Sequence, residues 1–275
     1  MTIIKEMIIG NEFCSNVLET QDIEDLKQNP RSRFIKAIKN MDAATCLVKT
    51  AEIHGHFCPG SALGVMASLY GFSLLEDEVI SSDGIMEDLL AIVEVNACFA
   101  DGIQAVSGCT LGNNSLIFRD FGKHAVTFAV RGREEGIRIR VRPEFRDYIM
   151  MDVPEFYPMM EKVIMKREGG PSQLKKFRET GREAAFAIIR KQFEDLFIAE
   201  TVIPDIPDYA PITGTYVCPG CGEQVMATKV WRRGLHKGKC LGCIGRYFEI
   251  DGSGIKEKDT RPANKAKNHG KILDF

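Results

Sequence analysis

Two closely spaced cysteine pairs constrain this chain more than any other feature. Cys218-Pro-Gly-Cys221 and Cys240-Leu-Gly-Cys243 form a C-x2-C-x18-C-x2-C pattern. Each pair can grip one ion through a tight turn in which Gly220 and Gly242 relieve the backbone. Four thiolates then close a tetrahedral zinc shell with no open position, which makes the site structural rather than catalytic. The stretch from Gly214 to Ile250 is too short for a substantial core, so metal binding would supply much of its folding energy. Redox use of the paired thiols is the alternative.

The remaining thiols need a different account. The 275 residues carry nine cysteines, an odd number, and the first ten residues hold no long apolar run. Both facts argue against a disulfide framework and a secretory leader, and for thiols kept reduced in a cytoplasm. No apolar run reaches the roughly 18 residues of a membrane span. With 44% apolar and 27% charged residues, the chain can bury a real core, and collagenous, low-complexity and wholly disordered classes are excluded.

Charge is divided along the chain. Residues 1–130 carry 9 Lys and Arg against 17 Asp and Glu, a net of −8, while residues 131–275 carry a net of +6. Such a split fits two faces with different partners, or simple complementarity within the molecule. Residues 216–250 alone are +4 through Lys229, Arg232, Arg233, Lys237, Lys239 and Arg246. With Trp231 among them, that stretch permits nucleic-acid contact, although many zinc modules only dock subunits.

Periodicity predicts helices over Asp22–Lys27, Arg33–Lys49, Ser61–Leu75 and Ala97–Val106, and through much of 154–197, with a break at Gly169-Gly170-Pro171. Leu89–Val95 reads as a buried strand, and His124–Val130 with Ile137–Arg142 as a hairpin. In the second hairpin strand Arg138, Arg140 and Arg142 share one face. That face suits an anion, or serves as a solvated edge that discourages pairing. The prolines of Val202–Pro211 mark a linker. After Ile250 the composition is Lys-rich and predicts a loosely attached tail over 251–275.

A second constellation lies near the N-terminus. His54, His56 and Cys58 fall at i, i+2, i+4, so an extended Ile53–Cys58 would turn all three to one side as a metal or acid/base cluster. Pro59-Gly60 then opens a helix, whose N-terminus lowers the pKa of Cys58. The plainer alternative is a buried turn with two hydrogen-bonded histidines. Gly60, Gly64, Ser68 and Gly71 form a small-residue stripe that favours close helix packing. Cys98 and Asp101 lie three apart on a short helix, and Gly108-Cys109-Thr110 follows in a turn.

These motifs resemble those of the FmdE family, named for an accessory component of formylmethanofuran dehydrogenase. The resemblance rests on His54-Gly-His-Phe-Cys-Pro-Gly60, on Glu94-Val-Asn-Ala-Cys98-Phe-Ala-Asp101-Gly-Ile-Gln104, and on Ser107-Gly-Cys-Thr-Leu-Gly112. Phe118-Arg-Asp-Phe-Gly-Lys-His-Ala-Val-Thr-Phe128 and the four-cysteine module continue it, over about residues 45–250. It implies an α+β chain: a helical extension over 1–44, a mixed α/β domain with a helix-flanked sheet over 45–201, and a small treble-clef or ribbon-like zinc domain over 213–250. It further implies a homodimer whose cleft gathers His54, His56, Cys58, Cys98, Asp101, Cys109 and Thr110, with Lys123 as an electrostatic contributor. His56 and Cys58 become ligands for a second transition metal, beside structural zinc on Cys218, Cys221, Cys240 and Cys243. Gly102 and Asn113 depart from the family pattern, where Ala and Lys are expected.

The reaction in the family's name is attributed to molybdenum- or tungsten-pterin subunits, and this chain has no ferredoxin-type cysteine run. Two expectations follow. One is a dimeric metalloprotein whose cleft binds a metal or small ligand, with Cys58 as thiolate and His54 or His56 as acid/base if it is an enzyme. The other is a non-catalytic accessory or regulator that docks on a molybdenum or tungsten enzyme, or on nucleic acid. Cys14 and Cys46 are left as ordinary thiols.

Overall fold

The computed structural model describes residues 20–75 and 85–260; Cys14 and the last fifteen residues lie outside these. The chain forms two compact units that meet between Pro207 and Asp208, inside the proline-bearing stretch read as a linker. No described helix is long and apolar enough to cross a membrane.

The first unit is built around one helix. Helices α1 (Thr20–Gln28), α2 (Ser32–Lys39) and α3 (Ala43–His54) lead into α4 (Pro59–Ser73). Nearly every side chain of α4 from Ala62 to Phe72 is buried, as expected of a helix apolar on all sides. Its neighbours are α3, α5 (Cys98–Ser107), the long α8 (Pro171–Ile188) and the sheet. The stretch Arg33–Lys49, expected as one helix, is two. Met41 takes φ +54, and the Asp42 carboxylate caps α3 by accepting from the Thr45 amide at 3.0 Å. Ala37 and Ile38 of α2 enter the core, so the N-terminal extension is part of this unit from there on.

The sheet has the order β2-β1-β3-β4-β5, with β1 (Leu89–Val93) parallel to β2 (Leu116–Phe118) and the remaining pairs antiparallel. Strands β3 (Ala125–Val130) and β4 (Gly136–Val141) are the expected hairpin. Strand β5 (Phe197–Val202), not expected from the helical pattern of 154–197, pairs along the whole of β4 from Gly136↔Val202 to Val141↔Phe197. The arginine-bearing strand is therefore interior rather than an edge. Between β4 and β5 come α6 (Phe145–Asp152), α7 (Phe156–Met160) with a π-turn over Glu161–Met165, then α8 and the short α9 (Phe193–Leu196). Past β5 the linker is tied back to the sheet, because Arg119 donates to the Asp205 carbonyl at 2.5 Å and Arg131 to the Pro207 carbonyl at 2.7 Å.

Two glycines decide how α4 and α5 cross. A Cβ on Gly64 would overlap the Phe99 carbonyl and reach 2.9 Å from the Gly102 Cα, while one on Gly102 would overlap the Ser61 carbonyl. The stripe singled out in the sequence thus serves helix packing within one chain. Gly102 is the reciprocal half of that contact, which accounts for glycine where the family pattern has alanine.

The second unit is an α+β module of small elements. Strands β6 (Thr215–Val217) and β7 (Gln224–Met226) flank the first cysteine pair. The second pair opens the four-residue helix α10 (Leu241–Ile244), and β8 (Arg246–Asp251) pairs with β9 (Gly254–Asp259). Composition predicted a loose tail from 251, but residues 251–259 complete this hairpin. A two-residue Gly252-Ser253 loop joins Asp251 to Gly254, and cross-strand pairs such as Arg246–Glu257 at 2.5 Å replace apolar burial.

Candidate metal and thiol centres

The N-terminal cluster is assembled by two helix ends. Helix α3 terminates at Gly55, whose φ of +86 lies in the left-handed region that only glycine adopts without strain. The segment from His54 to Cys58 is therefore not extended, as the spacing suggested, but a helix terminus followed by a short link. Cys58 then caps α4, with Pro59 in the first helical position and the thiol accepting from the Ser61 amide at 3.4 Å. The convergence expected from i, i+2, i+4 spacing survives by this other route. The donor atoms of His54, His56 and Cys58 all lie within 4.8 Å of one another.

Asp101 completes the arrangement from across the helix crossing. Its Oδ2 lies 2.6 Å from His54 Nδ1, and His54 Nε2 lies 3.6 Å from Cys58 Sγ. A hydrogen on Nδ1 shared with Asp101 leaves the Nε2 lone pair facing the sulfur, the orientation that metal-binding histidines adopt. His56 stacks against His54 with ring centroids 4.4 Å apart and is exposed.

Cys98 joins the cluster at the first residue of α5. Its thiol bonds Cys58 and, with the Ser61 hydroxyl and amide, holds Cys58 at about 4 against the opposing effect of burial; charged His54 contributes as well. The same bond, then burial, pushes Cys98 up, so one sulfur of the pair is thiolate and the other thiol. Burial works against the charged form of His54, but the bonds to Asp101 and Cys58 outweigh it and raise its pKa. Without a metal the centre is thus a thiolate beside an imidazolium.

The structure does not bring the other expected cleft residues to this point. Cys109 is buried in the core, bonded to the Leu89 carbonyl at 3.4 Å, and burial raises its pKa. Thr110 accepts from the Asn113 amide at 3.2 Å and Asn113 Oδ1 accepts from the Thr110 amide at 2.8 Å, so both organise a turn. Asn113 here is a loop-former rather than a weakened anion clamp. Lys123 lies over the Phe121 ring and lines a separate cavity beside β4. Cys46 is a core thiol, pushed up to about 12 by burial. Sequence reasoning missed Ser61, whose position three residues after a capping cysteine was the available signal.

In the second unit the four sulfurs do converge. Cys218 Sγ is 3.8 Å from Cys243 Sγ, and Cys221 Sγ is 4.0 Å from Cys240 Sγ. Metal–sulfur bonds of about 2.3 Å in a tetrahedron give sulfur–sulfur edges of about 3.8 Å, so the spacing suits one ion. Amides of Gly220, at 3.4 Å, and Cys240, at 3.3 Å, point at Cys218 Sγ. The Cys240 amide leads in lowering that thiol to about 6. A Cβ on Gly220 would lie 3.0 Å from Cys243 Sγ, which explains glycine in the knuckle.

Comparison with known proteins agrees with these motifs. Residues 53–198 match the family described as FmdE, molybdenum formylmethanofuran dehydrogenase operon. A protein of Archaeoglobus fulgidus named as a probable S-adenosyl-L-methionine-binding protein is 38% identical over 232 residues. That alignment takes in 84% of this chain but only 58% of the relative's own length. The crystal structure of an FmdE-like protein of tungsten formylmethanofuran dehydrogenase type, from Syntrophus aciditrophicus, is 19% identical. It covers 74% of this chain and 92% of its own, with a TM-score of 0.46.

Proposed function

The chain belongs to the FmdE family, and from that premise we propose a metalloprotein with two dissimilar sites. His54, His56 and Cys58 would hold one transition metal of the zinc class and leave a coordination position for water or a small ligand. Cys218, Cys221, Cys240 and Cys243 would hold a structural zinc. The observation that carries the first assignment is the convergence of the three donor atoms within 4.8 Å. Tetrahedral geometry with one nitrogen and one sulfur ligand requires an N···S edge of about 3.6 Å, and His54 Nε2 lies 3.6 Å from Cys58 Sγ.

A metal bound there with an open position supplies Lewis acidity and an acidified water. The chain's own groups have definite tasks around it. Asp101 holds the proton on His54 Nδ1, Ser61 and Cys98 keep Cys58 anionic, and exposed His56 stands where a ligand enters.

Metal analysis of the intact chain tests this. Wild type should carry two equivalents, Cys58→Ser one, and Cys240→Ser should lose the other. A single equivalent in wild type that Cys58→Ser retains would leave Cys58 as a metal-free nucleophile. The name of the Archaeoglobus relative makes S-adenosyl-L-methionine the first ligand to try, by equilibrium dialysis of the same three proteins.

A further inference from the structure

The arginine face of β4 is the feature that the metal centres do not use. Interior strands have no edge to protect, and β4 is hydrogen-bonded by β3 on one side and β5 on the other. Edge protection therefore does not account for three arginines in alternation. Beside them lies a cavity of about 320 Å³, within the size range of small-ligand sites. None of its lining residues belongs to either metal-type cluster.

The donors around the cavity are unequally committed. Arg138 is spent: its Nε and Nη2 bond the buried Glu94 carboxylate at 2.7 and 2.9 Å, and Nη1 reaches Glu200 at 3.3 Å. Arg140 makes one long contact, Nε to Glu200 at 3.4 Å, and its two Nη groups have no protein partner among the described residues. Arg142 uses Nε to fasten the carbonyls of Glu194 and Phe197 at 2.8 and 3.0 Å, which holds the guanidinium in place while its Nη groups stay open. Lys123 rests over the Phe121 ring and meets no carboxylate among the described residues. Four cations against Glu94 and Glu200 leave the site net positive.

The floor is apolar. Ala125 is the register partner of Arg140, and its small side chain leaves room beside the guanidinium. Val141, Pro143 and Phe145 line the rest. A free inorganic ion would use the cations and waste this surface. We propose that the cavity binds a small organic anion, with a carboxylate or phosphate head held by Lys123, Arg140 and Arg142 and a short apolar body against Val141, Pro143 and Phe145.

Calorimetric titration of the full chain with hexanoate, hexyl phosphate, inorganic phosphate and hexylamine tests this. One of the two organic anions should saturate at one per chain, and which of them does identifies the head group. Hexylamine should not bind. Inorganic phosphate should bind about tenfold more weakly than hexyl phosphate if the phosphate is preferred, because it buries no apolar surface. Arg140→Gln and Lys123→Gln should each weaken binding about tenfold with unfolding temperatures unchanged, and Lys175→Gln on exposed α8 should not. About 0.5 M salt should weaken the complex, since the site is open to solvent. Saturation by neither anion, equal binding of the amine, or wild-type affinity in the folded Lys123→Gln, Arg140→Gln double variant would overturn the proposal.

Discussion

The two sulfur-bearing centres are made of similar ligands in opposite settings. The four-cysteine module draws all its ligands from 26 residues, on two turns separated by a small loop, and has only Cys218 and Ile244 buried among its apolar groups. The His54–Cys58 centre sits on the buried helix α4 and borrows Cys98 and Asp101 from α5. In the first, the ion must make the structure. In the second, the structure makes the site and an ion adds function. Removing metal should therefore unfold one unit and merely empty the other.

Chelation is the strongest way to break that contrast. Structural zinc supplies on the order of 10 kcal/mol to modules of this size. Withdrawing metal from the full chain, or substituting Cys240→Ser, should abolish the fold of the module. The only tryptophan, Trp231, donates its amide to the Lys239 carbonyl inside the module at 2.8 Å, so its emission should shift to the red. The helical signal of the first unit should persist. Loss of both signals together would show that the two units depend on metal alike.

The next test attacks the scaffold of the N-terminal centre. Gly64→Ala inserts a methyl group against the Phe99 carbonyl at the α4–α5 crossing. Overpacking of backbone against backbone should cost about 3 kcal/mol. In a unit of this size that lowers the unfolding temperature by about 6 °C or more. Because Cys58 precedes α4 and Cys98 begins α5, the same change should weaken metal retention by His54, His56 and Cys58 while Trp231 emission stays put. Unchanged retention would mean that the crossing does not position the site.

How much of each centre was legible in the sequence follows from the same difference. Cys218, Cys221, Cys240 and Cys243 could be assigned from spacing because their geometry is local. His54, His56 and Cys58 were also visible, although their convergence depends on a left-handed Gly55 and a capping thiol rather than on an extended segment. Asp101 was visible only as a neighbour of Cys98, since its bond to His54 spans 47 positions and depends on two glycines meeting. Cys109 lies in a motif of the same texture, yet it points into the core, because local pattern does not tell which way a turn presents its side chains. Strand β5 was hidden by the helical period that precedes it, and with it the fact that β4 is interior.

Protonation offers a finer comparison. In metal-free protein the Cys58 thiolate, held by Cys98 and Ser61, should be alkylated by iodoacetamide at a rate that is flat near neutrality. The rate should fall as pH drops through about 4, where the sulfur takes up its proton. An ordinary thiol would keep accelerating up to about pH 9. Peptide mass spectrometry on wild type and Cys98→Ala separates the sites. Removing the Cys98 donor should move the Cys58 midpoint upward, and a midpoint that stays put would assign the thiolate to Ser61 and His54 alone.

The smallest expected effect is at Asp101. Asp101→Asn keeps the size of a half-exposed side chain, so the fold should be unaffected. What changes is the proton. A carboxylate can only accept from His54 Nδ1–H, which obliges the Nε2 lone pair to face Cys58 Sγ. An amide can turn its NH2 to Nδ1 instead, and then the hydrogen moves to Nε2 and occupies the position of the metal bond. Outer-sphere losses of this kind weaken metal binding by about 10- to 100-fold. Competition against a chromophoric chelator should show that drop for the N-terminal centre alone, with the four-cysteine site as the internal standard in the same molecule. Equal affinity in both proteins would mean that Asp101 only packs beside His54, and would return the cluster to a hydrogen-bonded turn.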